Sequence, residues 1–181
     1  MRTCGHCDRS IAGKRAGAKW CSTSCRVMAA RTRKQFPVEM RSVGRWVRFK
    51  LVPRANGKLA KVPVQLNGRN ASSTDPATWA SFQEASRSTV GDGLGWVLGN
   101  NIGCLDLDDC FDEKGRLSEF ARSVIEDHQG QAVLIERSLS GKGIHVFVPM
   151  GQGAGTVRAG IEVYPPDSGR FIAVTGDILK V

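Results

Sequence analysis

Apolar and polar residues alternate along several short stretches between residues 44 and 181, which is the pattern of half-buried β-strands. One stretch begins at Val47 and another at Val62, and the Asn56-Gly57 pair between them is typical of a hairpin turn. The same pattern predicts further strands at residues 94–98, 102–107, 132–137, 144–148, 161–164 and 171–174. We expect the last two strands to pair with each other.

Two other stretches have the apolar spacing of helices. The first is predicted to begin with Asp75 as its N-cap and Pro76 as its first helical residue. Its inner face would consist of Trp79, Phe82 and Ala85. The second helix follows the apolar positions Leu117, Phe120, Ala121, Val124 and Ile125. About eight strands, mostly joined by hairpins, and two long helices predict an α+β fold with helices packed on a largely antiparallel sheet.

The composition is that of a folded protein, with 41% hydrophobic and 24% charged residues. A length of 181 residues allows one ordinary domain and a small additional module. No apolar run approaches the roughly 20 residues of a membrane-spanning helix, and the first residues lack the apolar core of a secretory signal. We therefore expect a cytoplasmic protein without a membrane partner.

The net charge of +9 is concentrated at one end of the chain. Residues 1–35 contain nine Lys and Arg against a single Asp, so they carry +8 of that charge. A compact positive module favours a polyanionic partner, most often a nucleic acid. The alternative interpretation is a solvated basic tail.

Four of the six cysteines lie in the same module: Cys4, Cys7, Cys21 and Cys25. They form a C-x2-C-x13-C-x3-C pattern, and two close pairs separated by a short loop indicate a structural zinc site. His6 is a possible substitute ligand within the first pair. A short basic helix is predicted after Cys25, over residues 26–34. We divide the chain into this zinc module (1–35), a linker (36–43) and one main domain (44–181).

Acidic residues end one of the predicted buried strands. Because side chains alternate along a strand, Asp106 and Asp108 point to the same side. Two neighbouring carboxylates repel each other unless a cation lies between them, and oxygen ligands suit Mg²⁺ or Mn²⁺. The alternative is a solvated, acidic strand end.

A glycine-rich turn joins two later strands through Ser140, Gly141, Lys142 and Gly143. The glycines let backbone N–H groups approach an anion, and Lys142 adds positive charge. His145 follows on the side of its strand opposite the core-facing apolar residues, although a lone histidine is more often structural. Two charged residues of later strands complete the candidate set: Glu162 as a third acid, and Arg170 as a phosphate contact or a partner of Asp167.

Three of these elements, in this order, resemble the three motifs of the archaeo-eukaryotic primases. They are the Asp-hydrophobic-Asp pair at Asp106 and Asp108, the Ser-Gly-x-Gly-x-His segment from Ser140 to His145, and the strand acid Glu162. The flanking sequence is similar to the phage and plasmid primase-polymerases in particular: Arg45-Trp46, Lys61-Val62-Pro63, residues 71–76, Gly93-Leu94-Gly95, Gly169-Arg170-Phe171 and Thr175-Gly176. The resemblance covers residues 44–176.

The resemblance implies template-directed nucleotidyl transfer, by a DNA primase or DNA polymerase of phage or plasmid replication. It implies that Asp106, Asp108 and Glu162 bind two divalent ions, Mg²⁺ or Mn²⁺. The triphosphate would be held by Ser140, Gly141, Lys142, Gly143, His145 and Arg170. The implied fold is an RRM-like catalytic sheet packed with an N-terminal α/β subdomain. The implied partners are single-stranded or primed DNA, an NTP or dNTP, and a separately encoded replicative helicase.

Two alternative functions stay open on the sequence: a catalytically inactive nucleic-acid-binding protein with the same fold, and a metal-dependent nuclease. The presence of every candidate metal ligand argues against the first, and the Ser140–His145 segment suits a triphosphate better than a scissile strand. Relatives often continue into a helical accessory region, whereas this sequence ends at Val181. Initiation of synthesis without a primer is therefore in doubt, and we expect the basic module to compensate by binding the template.

Overall fold

The computed structural model describes residues 2–4, 9–27, 36–158 and 160–179. Within these residues the strands form two antiparallel sheets. The first consists of β1 (Trp46–Pro53), β2 (Leu59–Val64), β3 (Gly93–Val97) and β9 (Phe171–Val174), in the order β2-β1-β3-β9. The second consists of β4 (Ile102–Leu107), β5 (Leu134–Arg137), β6 (Ile144–Pro149), β7 (Thr156–Arg158) and β8 (Ile161–Tyr164), in the order β5-β6-β4-β8-β7. The helices are α1 (Val38–Arg41), α2 (Phe82–Arg87) and α3 (Glu119–His128).

Both faces of the second sheet are covered. On one face, Leu105, Val146 and their neighbours pack against the apolar side of α3. On the other, Cys104, Leu134 and Phe147 pack against residues of the first sheet in an inter-sheet core that includes both Trp46 and Trp96. Alternation along β4 and β6 produces this division, because successive side chains point to opposite faces. The predicted α+β class and the β1–β2 hairpin are confirmed, and Gly57 in the hairpin turn has a φ of +76°.

The helix predicted from Asp75 through Ala85 is wrong as a single element. Asp75 does cap a helical turn, since its side chain accepts a hydrogen bond from the Ala77 amide, but that turn is a 3₁₀ helix ending at Thr78. The chain then becomes extended because Ala80 pairs with Trp46, with N···O distances of 2.7 and 3.1 Å. Ser81 starts α2 with a capping box.

Three other expectations are corrected. The strands at 161–164 and 171–174 do not pair with each other, because β8 pairs with β4 and β7 while β9 pairs with β3. Phe120 is 46% exposed rather than on the inner face of α3. Leu117 precedes α3 and bridges to Phe111. β7 was not predicted, since its three residues are all exposed and carry no apolar alternation.

Residues 36–43, expected to be a linker, contain α1 and contribute two side chains to the inter-sheet core. Phe36 and Met40 are buried, and the Phe36 ring lies 5.1 Å from the Trp46 ring in an edge-on arrangement. The Trp46 indole N–H also donates to the Met40 carbonyl at 2.9 Å. This segment therefore anchors the beginning of β1. Among the helices in the described part of the chain, none has the length and apolar character needed to cross a bilayer.

Met40→Ala should lower the free energy of unfolding by about 2–5 kcal/mol, because it leaves a cavity in the inter-sheet core. Val38→Ala, on the same helical turn but 59% exposed, should change it by less than about 0.5 kcal/mol. Urea unfolding followed by tryptophan fluorescence measures both. Equal effects of the two substitutions would contradict the packing described for α1.

Candidate active site

Four polar side chains form a row across one face of the second sheet. The strand register places Asp106 opposite His145 on one side and opposite Glu162 on the other, and it places Glu136 opposite His145. The row therefore runs Glu136, His145, Asp106, Glu162 across β5, β6, β4 and β8. It lies two residues beyond Cys104 and Phe147 along β4 and β6, on the same face, so it borders the inter-sheet core. Three of these residues were candidates from the sequence, and the structure brings them together.

His145 lies in the dry part of the row. It is only 1% exposed, because the face opposite α3 is also covered at this point. Its Nδ1 atom lies 3.0 Å from Glu136 Oε1, and its Nε2 atom lies 3.7 Å from Asp106 Oδ1. Asp106 is more open, with 26% of its side chain exposed. Solvent access thus increases from Glu136 towards Asp106.

Glu136 was missed by the sequence analysis. It is a fully buried acid, and besides His145 it accepts hydrogen bonds from the backbone amides of Thr175 and Gly176. The signal that drew attention to Glu162, an acid within an apolar strand, is also present in Leu134-Ile135-Glu136. It would have identified both residues.

The electrostatics of Asp106 favour a cation. Burial raises the pKa of its carboxyl group, and the nearby Asp108 and Glu162 raise it further. His145 and Lys61 act in the opposite direction and lower that pKa. A half-buried carboxylate with two acidic neighbours is costly to ionise unless positive charge is supplied, and oxygen donors of this kind suit a hard divalent ion. Asp108 itself is exposed, directly after the end of β4.

Glu162 is held by the only tyrosine of the chain. The Tyr164 hydroxyl donates a hydrogen bond to Glu162 Oε2. The Arg170 guanidinium lies 5.2 Å from the centre of the Tyr164 ring, while Asp167 accepts a hydrogen bond from the Gly153 amide. Burial, followed by the hydrogen bond and the charge of Glu162, raises the pKa of Tyr164 to about 12.

A cleft of about 340 Å³ opens beside the row, and both sheets line it. From the second sheet come Asp106, His145 and Tyr164; from the first sheet and its loops come Lys61, Pro63, Ser73, Gly169, Arg170, Phe171, Ile172 and Ala173. Lys61 and Ser73 were not site candidates in the sequence analysis. Lys61 belongs to β2, which is far from Asp106 in sequence, so only the packing of the two sheets reveals that it faces the acids.

The glycine-rich turn follows β5 and lies against the end of β4. Gly143 is required there, because a Cβ atom would lie 2.4 Å from the Leu107 carbonyl oxygen. The amides of Gly141, Lys142 and Gly143 donate to Ser138 O, Ser140 Oγ and Ser138 Oγ, at 2.9, 3.2 and 3.1 Å. These three amides already have acceptors within the turn, and the exposed Lys142 side chain supplies its positive charge.

Three cysteines of the N-terminal module are placed to bind a metal ion. The sulfur atoms of Cys4, Cys21 and Cys25 all lie within 4.8 Å of one another, a spacing compatible with a shared ion. Residues 23–27 are helical, so the helix begins before Cys25 and includes the first two residues of the predicted basic helix, 26 and 27. The expected fourth ligand Cys7, His6 and the rest of the predicted basic helix lie outside the described residues.

A basic groove of about 590 Å³ lies next to the cysteines. Its lining includes Lys14, Arg15, Lys19, Trp20 and Arg26. The loop that carries the first two cations is held by Arg2, whose guanidinium donates to the carbonyls of Arg15 and Ala18 at 2.9 and 3.2 Å.

The sequence is similar to that of a DNA primase-polymerase of Nitratiruptor phage NrS-1. The two are 34% identical over 126 residues, which is 62% of this chain and 17% of the relative. This similarity supports a relationship to the primase-polymerases, as the sequence predicted. No profile of an established protein family matches the chain. The similarity therefore covers only a small part of the length of the phage protein.

Because Tyr164 is the only tyrosine, its ionisation can be followed by ultraviolet absorbance. The folded protein should titrate near pH 12, and the urea-unfolded protein near pH 10. Since the pKa is raised in the folded state, this group's contribution to stability is complete below about pH 10 and is lost as the pH rises towards 12.

Glu162→Gln should lower the pH midpoint of the Tyr164 titration in the folded protein, because it removes the carboxylate that accepts the hydrogen bond of the Tyr164 hydroxyl. Glu126→Gln, on the exposed side of α3, is the matched control and should leave the midpoint unchanged. A folded midpoint near pH 10 would show that Tyr164 does not contact Glu162.

Proposed function

We propose that the chain is a template-directed nucleotidyltransferase, a DNA primase or DNA polymerase acting in phage or plasmid replication. The observation that carries the proposal is the row of Asp106, His145 and Glu162 at a cleft lined by both sheets. The similarity to a phage primase-polymerase supports the same reaction class.

In this proposal Asp106, Asp108 and Glu162 hold two Mg²⁺ or Mn²⁺ ions. The residue types fit, because all three offer carboxylate oxygens and because burial, together with the acidic neighbours, destabilises the Asp106 anion. Bound ions of this kind activate the attacking 3′ oxygen and neutralise the leaving pyrophosphate. The chain's own task is then to orient the ions and the nucleotide, since phosphoryl transfer depends mostly on positioning and charge neutralisation.

The triphosphate would lie between the glycine-rich turn and the first sheet. The proposed contacts from the turn and β6 are Ser140, the Lys142 side chain and His145. Gly141 and Gly143 would shape the turn that carries them, since their amides already have acceptors within it. Arg170 is a proposed contact from the loop before β9, and Lys61 joins it because it lines the same cleft. The positive side chains of Lys61 and Arg170 at the cleft would help to neutralise a bound anion.

The order of the central strands supports the RRM-like part of the proposal. The four central strands of the second sheet are β4, β5, β6 and β8 in chain order. In the antiparallel sheet they lie in the order β5-β6-β4-β8, so that the second of the four is followed by the third, the first and the fourth. α3 connects the first two and covers one face of the sheet. The first sheet, with α2, would then be the N-terminal α/β subdomain of the prediction.

The N-terminal module would bind structural zinc through Cys4, Cys7, Cys21 and Cys25 and contact the template. A thiolate cluster is typical of zinc, and the neighbouring groove carries four cations. Single-stranded or primed DNA is therefore the proposed partner of this groove. The remaining partners would be an NTP or dNTP and a separately encoded replicative helicase, in the cytoplasm of a bacterial host.

The reaction is tested by nucleotide incorporation on single-stranded DNA, with and without a primer, in Mg²⁺ and in Mn²⁺. Asp106→Ala or Asp108→Ala should reduce incorporation by about 10³-fold or more, because loss of a metal ligand removes several kcal/mol of transition-state stabilisation. The control Asp127→Ala, at an exposed position of α3, should retain activity. Products without a primer would indicate a primase as well as a polymerase.

Two results would contradict the assignment. Substantial synthesis by the Asp106→Ala protein would remove Asp106 from the metal site. No synthesis by the wild-type protein under either metal, with DNA binding intact, would favour the nucleic-acid-binding protein without catalysis.

The template contact is tested by the salt dependence of single-stranded DNA binding, measured by fluorescence anisotropy. Replacing Lys14 and Arg15 by Gln should weaken binding and reduce the slope of log K against log salt by about 1.4, since each lost phosphate contact removes roughly 0.7. Stripping the metal with a chelator should weaken binding similarly, because the thiol-bound metal would organise the groove.

The matched control replaces Lys114 and Arg122 by Gln, two exposed cations near α3. These substitutions should leave the slope unchanged. Equal slopes for the groove variant and the wild-type protein would show that the groove does not contact the template.

A further inference from the structure

Glu136 and His145 form a buried acid–imidazole pair beside the proposed metal ligands. Both side chains are essentially inaccessible, with exposures of 0% and 1%. A buried carboxylate is costly unless its charge is met by close donors. The contacts of Glu136 therefore show what the surrounding fold is built to hold.

Every polar contact that the structure gives the Glu136 side chain is with a nitrogen atom. Oε1 lies 3.0 Å from His145 Nδ1 and 3.2 Å from the Thr175 amide. Oε2 lies 3.1 Å from the Thr175 amide and 2.8 Å from the Gly176 amide. The backbone amides can only donate, so both oxygens are used as acceptors. A carboxylate has no hydrogen to donate, so the remaining partner, His145 Nδ1, donates as well.

This arrangement leaves one free direction for the imidazole. With Nδ1–H bound to Glu136, the opposite nitrogen Nε2 faces Asp106 Oδ1 at 3.7 Å and lies at the wall of the cleft. Rotating the ring by half a turn would place a carbon atom against the carboxylate and lose the hydrogen bond.

We propose that Glu136 is a positioning residue that fixes the hydrogen of His145 on Nδ1 and directs Nε2 into the nucleotide cleft. The inference rests on the proposed function to the extent that His145 contacts the nucleotide. Glu136 acts through His145 and does not touch the substrate.

The amides that hold Glu136 belong to the other sheet. Thr175 and Gly176 directly follow β9, and Gly176 adopts a φ of +70° that favours glycine. The Thr175 hydroxyl also donates to the Arg137 carbonyl at 2.7 Å. Glu136 therefore fastens the end of β9 to β5, and His145 is oriented relative to both walls of the cleft at once.

A glutamine cannot replace this carboxylate. Its single amide oxygen could accept from the backbone amides or from His145, but its NH₂ group would then face a donor on the other side. The backbone N–H groups cannot change, so the ring of His145 has to change its hydrogen-bonding state or its orientation. Glu136→Gln therefore alters the imidazole while keeping the shape of the side chain.

The first test is ¹⁵N NMR of the histidine-labelled wild-type protein, which contains three histidines. The resonances of His145 are assigned by their loss in His145→Gln. We expect a slowly exchanging hydrogen on Nδ1 of His145. Absence of a hydrogen from Nδ1 would overturn the inference, and this measurement does not depend on the folding of any Glu136 variant.

The second test compares Glu136→Gln with Glu126→Gln in nucleotide incorporation. We expect Glu136→Gln to raise the KM for the incoming nucleotide by about tenfold or more, in the range seen when partners that orient a ligand are removed. The Kd for single-stranded DNA should stay unchanged, and Glu126→Gln should behave as the wild type. A folded Glu136→Gln protein with an unchanged nucleotide KM would leave Glu136 a purely structural role and overturn the inference.

The two tests separate this inference from the proposed function. If the wild-type protein adds no nucleotides while Nδ1 of His145 carries its hydrogen, the proposed function fails and the positioning of His145 stands. If the wild-type protein is active and Nδ1 lacks the hydrogen, the proposed function stands and the positioning role fails.

Discussion

The pairing register of β4 with its two neighbours decides which side chains meet in this protein. In that register Asp106 lies between His145 and Glu162, on the face away from α3. A slip of one residue in any of the three strands would turn its polar side chain towards the apolar residues that pack on α3. Such a slip would bury a charge without partners, so the helix-side packing protects the arrangement of the site as much as it stabilises the sheet.

The polar row also has a graded environment. On one side of the row along β4 and β6, Cys104 and Phe147 are fully buried in the inter-sheet core. On the other side, Asp108 follows the end of β4 and is exposed. Electrostatic interactions strengthen as the local dielectric falls. Charge supplied near Asp106 therefore acts more strongly than the same charge on an open surface.

Local patterns predicted most elements but not their partners. The strands β4, β8 and β9 begin and end where alternation placed them. The expected β8–β9 pair failed because nearness in sequence is a weak guide when β3 and β4 offer longer apolar partners. The helix after Asp75 broke for a similar reason, since the backbone of Ala80 is used by Trp46, more than thirty residues earlier.

The candidate site shows the same division. Asp106, His145 and Glu162 stood out because motifs and alternation are local features, and the structure places them in one row. Glu136 was missed because its partners, the amides of Thr175 and Gly176, lie about forty residues away and carry no side-chain signal. Lys61 was missed because its relation to Asp106 depends on how two sheets face each other.

The late position of β9 has a consequence for how the chain acquires its structure. Leu94 pairs with Val174, so the edge of β3 stays open until a strand about eighty residues later has been made. Contacts between residues so distant in sequence form slowly, and an unpaired strand edge invites association with other chains. A nascent or truncated polypeptide ending before Phe171 would thus expose the unpaired, aggregation-prone edge of β3 next to Trp96. It would also leave the Glu136 carboxylate without its amide donors. Formation of the cleft and protection from aggregation are therefore completed by the same short segment, residues 171–176.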